Sequence, residues 1–167
     1  MASKLCIKRL NKEILMYQKE NFKFPNLILR YRPDDILVWY FIVYDLKDTP
    51  FENGVYFGKC VLNEQYPLKP PNFFFITPNG RFEINKKICT TFSSYHMETY
   101  TSTWNILTML EGMISFMTDT NHDNGIGSIT TSAIEKTQLA HISLQWNKKN
   151  DLFNKIFPDI DELITNT

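Results

Sequence analysis

Hydrophobic residues recur at helical spacing at the start of the chain and again near its middle. In residues 4–20 this spacing predicts a helix with an apolar stripe made of Ile7, Leu10, Ile14 and Tyr17. A second helix is predicted over about 103–118, with apolar residues at steps of three or four: Trp104, Leu107, Leu110, Ile114 and Met117. We expect this second helix to be the central helix of the core.

Between these helices the pattern changes to short runs rich in β-branched and aromatic residues. Strands are predicted at 36–44, 55–62 and 73–75, with an earlier one near 27–31. The connections contain Asp48-Thr49-Pro50 and Glu52-Asn53-Gly54, which favour tight antiparallel hairpins over helical crossovers. The predicted fold class is therefore α+β, with a four-stranded antiparallel meander between the N-terminal and central helices.

The remaining segments differ in character. Residues 77–102 are polar and long for a connection inside a compact domain, and such connections are usually functional or disordered. Ser132 followed by Glu135 resembles a capping box, which predicts a helix running to about Trp146. A last short helix is expected over about 151–157, before Pro158.

Composition and charge restrict the possible classes of protein. With 167 residues, 43% of them hydrophobic, the chain can bury one substantial core, so we expect a single domain over 1–167. Eighteen basic residues balance eighteen acidic ones, which argues against a general nucleic-acid binder. No apolar run is long enough for a signal peptide or a membrane helix, so the chain as given is expected to be soluble and cytoplasmic.

Three cysteines and three histidines are the candidates for metal or thiol chemistry. The cysteines form no close pair, and their odd number argues against a secreted disulfide framework. The histidines, His96, His122 and His141, show no metal-binding repeat, and we predict no metal. A reducing, cytosol-facing location follows from this cysteine usage.

The sequence context separates the three cysteines. Cys6 lies in a predicted helix and Cys60 in a predicted strand, where a free cysteine usually acts as a small buried hydrophobe. Cys89 lies in the polar connection, just downstream of Lys86 and Lys87, whose charges would favour its thiolate form. A cysteine hydrolase would also need a histidine base, but such enzymes take it from a distant segment, whereas His96 is only seven residues away, and their local signatures are absent here. The residues alone therefore predict a reactive loop thiol at Cys89.

An ordered series of motifs makes this prediction more specific. It runs through Tyr66-Pro67-Leu68-Lys69-Pro70-Pro71, the strand at 73–75, Thr77-Pro78-Asn79-Gly80, Ile88-Cys89 and Trp104, and it resembles the ubiquitin-conjugating domain. The segment 49–56 is similar to the family's proline–aromatic–glycine hairpin, so the resemblance covers nearly all of residues 4–160. It implies an enzyme that carries ubiquitin as a thioester on Cys89 and needs no metal or small cofactor.

Two departures from the commonest family pattern point to one branch. Most members have His-Pro-Asn where this chain has Thr77-Pro78-Asn79, and here the stretch from Asn79 to Cys89 is longer. Together with Gly127-Ser128-Ile129, these features resemble the tail-anchored endoplasmic-reticulum (J-type) branch, which acts in degradation of proteins from that organelle. If an anchor follows Thr167, the expected location is the cytosolic side of that membrane.

The resemblance implies roles for further residues near the thiol. Asn79 would either stabilise the tetrahedral oxyanion or hold the active-site loop in shape, although an ordinary Asn-Gly turn is the simpler alternative. Asp123, Asn124 and Ser128 lie in the loop that positions the acceptor in the family. His96 would act as a base toward a hydroxyl acceptor, so lysine and serine or threonine acceptors both stay open.

The resemblance also implies protein partners and a docking surface. Lys4, Lys8 and Lys12 would contact the ubiquitin-activating enzyme, unless they form an ordinary solvated face. Leu68 and Ser102 would contact a RING-type ubiquitin ligase; the family's Trp-Ser-Pro-Ala sequence is replaced here by Tyr100-Thr101-Ser102-Thr103. Ubiquitin and protein substrates complete the expected partners, with no nucleic acid and no membrane contact except through a tail.

Three rival hypotheses stay open. An inactive binding module of the same fold would characteristically lack the cysteine, so Cys89 together with Asn79 favours an enzyme. A conjugating enzyme for another ubiquitin-like modifier would keep the same chemistry. A cysteine hydrolase would cleave ubiquitin esters or peptides without ATP.

Overall fold

The computed structural model of the chain describes residues 2–20, 26–32, 34–88, 99–119 and 125–165. Helix α1 covers Lys4–Glu20 and is followed by strands β1 (Leu27–Arg32), β2 (Asp35–Tyr44), β3 (Val55–Val61) and β4 (Asn72–Phe75). Four helices complete the described order: α2 (Ile106–Thr118), α3 (Ala133–Lys148), α4 (Asp151–Ile156) and α5 (Ile160–Thr165). The α+β class is confirmed.

The four strands form one antiparallel sheet in chain order, β1-β2-β3-β4. Its longest regular pairing joins β2 and β3, from Val38 opposite Val61 to Tyr44 opposite Val55. Gly58, in the middle of β3, is required by packing, because a Cβ there would lie 2.2 Å from the ring of Phe41 on β2. The predicted meander is confirmed, including the strand expected near 27–31.

One face of the sheet packs against α1 and α2. Strand β2 contributes Trp39, Phe41 and Val43, whose alternation places all three on this face. Helix α2 is the central helix of the core, as predicted, and its buried residues are Ile106, Leu107, Met109, Leu110, Met113 and Met117. Cys6 and Cys60 are fully buried in the same cluster, as expected for cysteines that act as small hydrophobes.

The opposite face of the sheet is covered by the C-terminal helices. Tyr40, Ile42 and Phe57 pack there against residues of α4 and α5 and of their connection: Phe153, Phe157 and Ile160. Arg30 on β1 joins this contact, because it donates to the carbonyl of Ile156 and to Asp159. The sheet is therefore buried on both sides.

Several predicted helix details were wrong. Ile7 is 42% exposed, whereas the other predicted members of the stripe face the core: Leu10 is buried, and Ile14 and Tyr17 pack against the core cluster. Cys6 and Glu13 complete the buried face of α1. Helix α2 begins at Ile106, because Asn105 and Thr108 form a reciprocal cap that starts the helix there, which leaves Trp104 outside it.

The C-terminal helices also differ from the prediction. Helix α3 begins after Ser132, as expected, and extends two residues past Trp146 to Lys148. Helix α5 was not predicted. It has only six residues, too few for a periodic signal, and it is held by burial of Ile160.

Neither a membrane-spanning helix nor a cluster of metal ligands is found among the described residues. Across the described ranges, no helix combines the length and the apolar character needed to cross a membrane. Within the same ranges, no group of three or more histidine, cysteine or acidic side chains is placed to hold a metal ion. The need for no metal stays a prediction.

Candidate active site

The backbone segment that leads to Cys89 is the central feature of the candidate site. Cys89 and His96 themselves lie outside the described residues. Ile88 is fully buried, and its N–H donates to the carbonyl of Phe73 on β4 over 3.1 Å. Gly127 packs against the same segment with φ +87°, and a Cβ there would lie 2.8 Å from the carbonyl oxygen of Lys87. The backbone directly before Cys89 is thus held from two sides.

Lysines precede Cys89, but one of their charges is already engaged. Lys86 forms an ion pair with Glu83, with Nζ and Oε1 2.6 Å apart. Because a paired lysine attracts a thiolate less than a free one does, Lys86 stabilises the Cys89 thiolate less than we expected.

Burial of the thiols raises the pKa of Cys6 and of Cys60, so neither of these cysteines competes as a nucleophile at neutral pH.

Asn79 lies in the turn that follows β4, and its amide is hydrogen bonded within that turn. Its Oδ1 accepts from the N–H groups of Arg81 and Phe82, each over 2.8 Å, and its Nδ2 donates to the carbonyl of Thr77 over 2.9 Å. The side chain is only 1% exposed. These contacts favour the loop-holding role over the oxyanion role, since one of the two Nδ2 hydrogens is already used.

Ser128 lies on a short segment that pairs with the chain after Asn79. Phe82 and Ser128 form an isolated antiparallel bridge, flanked by hydrogen bonds from Glu83 N to Gly127 O and from Ile129 N to Arg81 O. The Ser128 hydroxyl is buried, without a hydrogen-bond partner in the described part of the chain. The other acceptor-loop candidates, Asp123 and Asn124, lie outside the described residues.

Arg81 supports this arrangement and was not identified from the sequence. Its guanidinium is buried between the rings of Phe82 and Phe116, with its central carbon 5.1 and 4.8 Å from the two ring centroids. Its Nη2 donates to the carbonyl of Phe116 on α2 over 3.4 Å. An arginine next to a Pro-Asn-Gly turn is usually exposed, so no sequence signal indicated that this one joins the turn to α2.

The predicted partner-binding residues lie on the surface. Lys4, Lys8 and Lys12 are exposed on α1, and Ser102 is exposed in the connection before α2. Leu68 is 64% exposed, whereas Pro67 and Pro70 on either side of it are buried. A polar cluster, defined here as the partly buried Arg9 with the buried Glu13 and Tyr66, connects the elements that carry these residues.

Glu13 is the centre of this polar cluster. Its Oε1 accepts from Arg9 and from the hydroxyl of Tyr66, and its Oε2 accepts from the N–H of Ile106 at the start of α2 over 2.8 Å. Burial, with the neighbouring Glu13 charge, raises the pKa of Tyr66, which keeps its phenol a donor. The carboxylate therefore joins α1 to the segment before Leu68 and to α2.

Arg9 extends the cluster to the connection that contains Ser102. It donates to the carbonyl of Ser102 over 2.9 Å and to that of Trp104 over 2.6 Å. Tyr100 bridges the two loops, since its hydroxyl donates to the carbonyl of Pro67 over 3.0 Å. Burial raises the pKa of Tyr100 to about 12, so it too stays protonated. Leu68 and Ser102 are thus held in a fixed relation to α1.

Comparison with known proteins gives a consistent family match. A family model described as ubiquitin-conjugating enzyme matches residues 9–154. Ubiquitin-conjugating enzyme E2 34 of Arabidopsis thaliana is 42% identical over 162 residues, which cover 97% of this chain and 67% of the relative. Ubiquitin-conjugating enzyme E2 J2 of Homo sapiens is 36% identical over 163 residues, covering 98% and 61%. Ubiquitin-conjugating enzyme E2 6 of Candida glabrata is 40% identical, covering 97% and 65%.

A solved structure supports the fold independently. The crystal structure of a candidate ubiquitin conjugating enzyme from Plasmodium yoelii superposes with a TM-score of 0.61 at 20% identity, covering 93% of this chain and 91% of that one. At this identity the likeness concerns the fold alone. The chain spans about two thirds or less of the length of the plant, human and yeast relatives named above.

Proposed function

Because this chain belongs to the ubiquitin-conjugating enzyme family, a family of transferases, we propose that it carries ubiquitin as a thioester on Cys89. The observation that supports this most directly is the anchored backbone before Cys89. Ile88 is fixed to β4, and Gly127 packs against Lys87 and Ile88. A carrier thiol must react first with the activating enzyme and then with the acceptor, and it must be held in one position for both reactions. A fixed backbone before Cys89 provides this.

The reaction takes place in two acyl transfers. The Cys89 thiolate attacks the thioester between the ubiquitin C-terminal glycine and the activating enzyme, and the thiolate of that enzyme leaves. An acceptor amine or hydroxyl then attacks the new thioester, and the Cys89 thiolate leaves as the acceptor loses its proton to a base. The thiolate is a good leaving group, so neither step needs a metal.

We assign supporting roles to three residues around this thiol. Asn79 shapes the loop through its bonds to Arg81, Phe82 and Thr77. Ser128 contributes to the acceptor side, since its segment pairs with that loop and its hydroxyl is buried there. His96 is the base toward a hydroxyl acceptor, and lysine remains the general acceptor.

The family implies ubiquitin, an activating enzyme and a ligase as partners. We propose that the activating enzyme contacts Lys4, Lys8 and Lys12, and that a RING-type ligase contacts Leu68 and Ser102. The contacts of Arg9, Glu13 and Tyr66 support this placement, because they hold both loops against α1. The modified proteins are targets of endoplasmic-reticulum-associated degradation, as in the branch that the sequence resembles, on the cytosolic side of that membrane.

We also propose that residues 1–167 form a single catalytic domain.

Charging with ubiquitin tests the proposal. The protein is incubated with activating enzyme, ATP and ubiquitin, and a reductant-sensitive adduct is expected with the wild type and not with Cys89→Ala. Cys6→Ala is the matched control, since this thiol is buried, and it should still be charged. No adduct with the wild type, or an adduct on Cys89→Ala, would refute the mechanism.

The same assay separates the rival functions. A panel of ubiquitin-like modifiers, each with its own activating enzyme, identifies the cargo, and charging with another modifier alone would replace ubiquitin in the proposal. Cleavage of a ubiquitin ester without ATP would instead indicate a hydrolase.

A further inference from the structure

A chain of buried polar side chains lies behind the Pro78-Asn79 turn. Thr77 is fully buried, and its hydroxyl accepts from the N–H of Phe57 on β3 over 2.8 Å. The same hydroxyl donates to Oδ1 of Asn147, in the last turn of α3, over 2.6 Å. Asn147 is also fully buried, and its Nδ2 donates to the carbonyl of Val55 over 2.8 Å. Thr77 is therefore fixed to the sheet and to α3 through one hydroxyl.

Thr77 connects this buried chain to the turn through its main chain. Its N–H donates to the carbonyl of Phe57 over 3.2 Å, and its own carbonyl accepts from Asn79 Nδ2 over 2.9 Å. Asn79 in turn accepts from the N–H groups of Arg81 and Phe82. A continuous path of hydrogen bonds thus leads from Asn147 through Thr77 to Asn79.

The path continues toward the thiol by backbone pairing. Phe82 forms the bridge with Ser128, and Gly127 packs against Lys87 and Ile88 directly before Cys89. A displacement of Thr77 would therefore shift the turn, and with it the segment that contacts the approach to Cys89. Since a displacement of about 1 Å at a reacting centre can slow a reaction about a hundredfold, such a shift would be visible in the kinetics.

We propose that Asn147 and Thr77 are positioning residues for the transfer of ubiquitin from Cys89 to its acceptor, an inference that rests on the proposed function. Asn147 holds the Thr77 hydroxyl, and Thr77 holds the Asn79 amide. Neither residue acts on substrate. Because the buried Thr77 hydroxyl donates to Asn147 at the end of α3, the two residues act together.

A simpler interpretation is that Asn147 only fastens α3 to the sheet, and Ser143 provides a matched control for it. Ser143 lies one turn earlier on α3, is equally buried, and its hydroxyl accepts from the N–H of Val55 over 2.8 Å. It fastens the same helix to the same strand residue and contacts no atom of Thr77 by hydrogen bonding. A variant of Ser143 therefore removes the fastening without touching the path to Asn79.

The test compares Thr77→Val, Thr77→Ser, Asn147→Ala and Ser143→Ala. Each protein is charged with ubiquitin, and discharge to free lysine is followed in a single turnover at increasing lysine concentration. We expect Thr77→Val and Asn147→Ala to be charged normally, while their maximal discharge rate falls at least about tenfold and the half-saturating lysine concentration stays the same. Thr77→Ser, which keeps the hydroxyl, should discharge within about twofold of the wild type.

Ser143→Ala should lose thermal stability and keep its discharge rate. The proposal is wrong if Thr77→Val discharges like Thr77→Ser, or if Ser143→Ala slows discharge as much as Asn147→Ala does. If Thr77→Val does not fold, the discharge rates of Asn147→Ala and Ser143→Ala are compared instead. Asn147→Ala keeps the hydrogen bond from Phe57 N to the Thr77 hydroxyl, so it removes only the contacts that Asn147 makes. A wild type that forms no thioester refutes the proposed function itself and this inference with it.

Discussion

The hydroxyl of Tyr66 donates a hydrogen bond to Oε1 of Glu13 over 2.6 Å, and both side chains are buried. The bond joins α1 to a segment 53 residues away, two positions before the exposed Leu68. Because the same carboxylate also accepts from Ile106 N, one buried acid fixes both loops of the proposed ligase surface. The geometry of that surface therefore depends on two buried side chains that do not belong to the surface itself.

Removing this bond should destabilise the protein. Tyr66→Phe leaves Glu13 with its bonds from Arg9 and Ile106, so we expect a loss of about 1–2 kcal/mol in the free energy of unfolding. Glu13→Ala leaves three buried donors without their acceptor, and about 3–5 kcal/mol is expected. Urea denaturation measures both. Lys12→Ala on the exposed face of α1 should change stability by less than about 0.5 kcal/mol, and equal losses at Tyr66 and Lys12 would contradict this role of the bond.

Arg9→Ala should weaken the response to a ligase more than it weakens the intrinsic reaction. The variant removes the donors to the carbonyls of Ser102 and Trp104, so the loop keeps only the hydrogen bond from Ile106 N to Glu13 as its polar attachment to α1 among the contacts described above. We expect the ratio of ligase-stimulated to unstimulated lysine discharge to fall about tenfold, which corresponds to about 1.4 kcal/mol. Arg32→Ala, which removes an arginine paired with Asp34 away from this loop, is the control. An unchanged ratio for Arg9→Ala would show that the loop is held by other contacts.

Apolar spacing predicted the first and central helices, and runs of β-branched and aromatic residues between turn residues predicted the four strands. These signals are local, and the antiparallel meander joins segments that are close in sequence. The buried polar contacts could not be predicted in this way. Arg9 meets Ser102 across 93 positions and Thr77 meets Asn147 across 70, and polar residues in an amphipathic pattern are expected at the surface.

The error at Ile7 has the same physical origin. A pattern that counts apolar residues assigned Ile7 to the core stripe, whereas the structure buries Glu13 on that face and leaves Ile7 42% exposed. The charge of Glu13 is buried because three donors from separate segments meet it. These donors meet only in the folded protein. The order of the motifs along the chain therefore predicted the family, but it could not predict the polar cluster around Glu13.

Acid should weaken the contact between β1 and the connection to α5. The hydrogen bond from Arg30 lowers the pKa of Asp159, so the folded value lies below the unfolded one. The stabilisation is then fully present above the unfolded value near 4 and is lost as the pH falls through the folded value. Both side chains are partly exposed, at 31% and 40%, so at most about 1 kcal/mol is expected.

Thermal unfolding of Asp159→Asn against the wild type measures this effect. The wild type should be more stable at pH 7, and the difference should shrink at pH 3. Asp161→Asn, which alters the more exposed pair with Lys148, should give a smaller difference at pH 7. A stability difference for Asp159→Asn that is the same at both pH values would contradict the role of the ion pair.

His96→Ala should separate the two classes of acceptor. If His96 is the base toward hydroxyl acceptors, the variant should form its thioester normally and discharge to lysine normally, while discharge to serine or threonine slows by about a hundredfold, within the range of general base catalysis. His141→Ala, at an exposed position on α3, is the control. Equal discharge of His96→Ala and the wild type to every acceptor would remove this role.

Gly127→Ala should disturb both stability and charging, because two separate constraints require glycine there. Its φ of +87° is unfavourable for alanine, and a Cβ would lie 2.8 Å from the carbonyl oxygen of Lys87. The strained backbone alone costs about 1–2 kcal/mol, and the clash pushes Lys87 and Ile88 away, so thioester formation should slow at a temperature where the variant is folded. Ile126→Ala, which shortens the exposed neighbouring side chain, should leave stability nearly unchanged. If Gly127→Ala loses stability and is charged at the wild-type rate, the packing of this segment does not position Cys89.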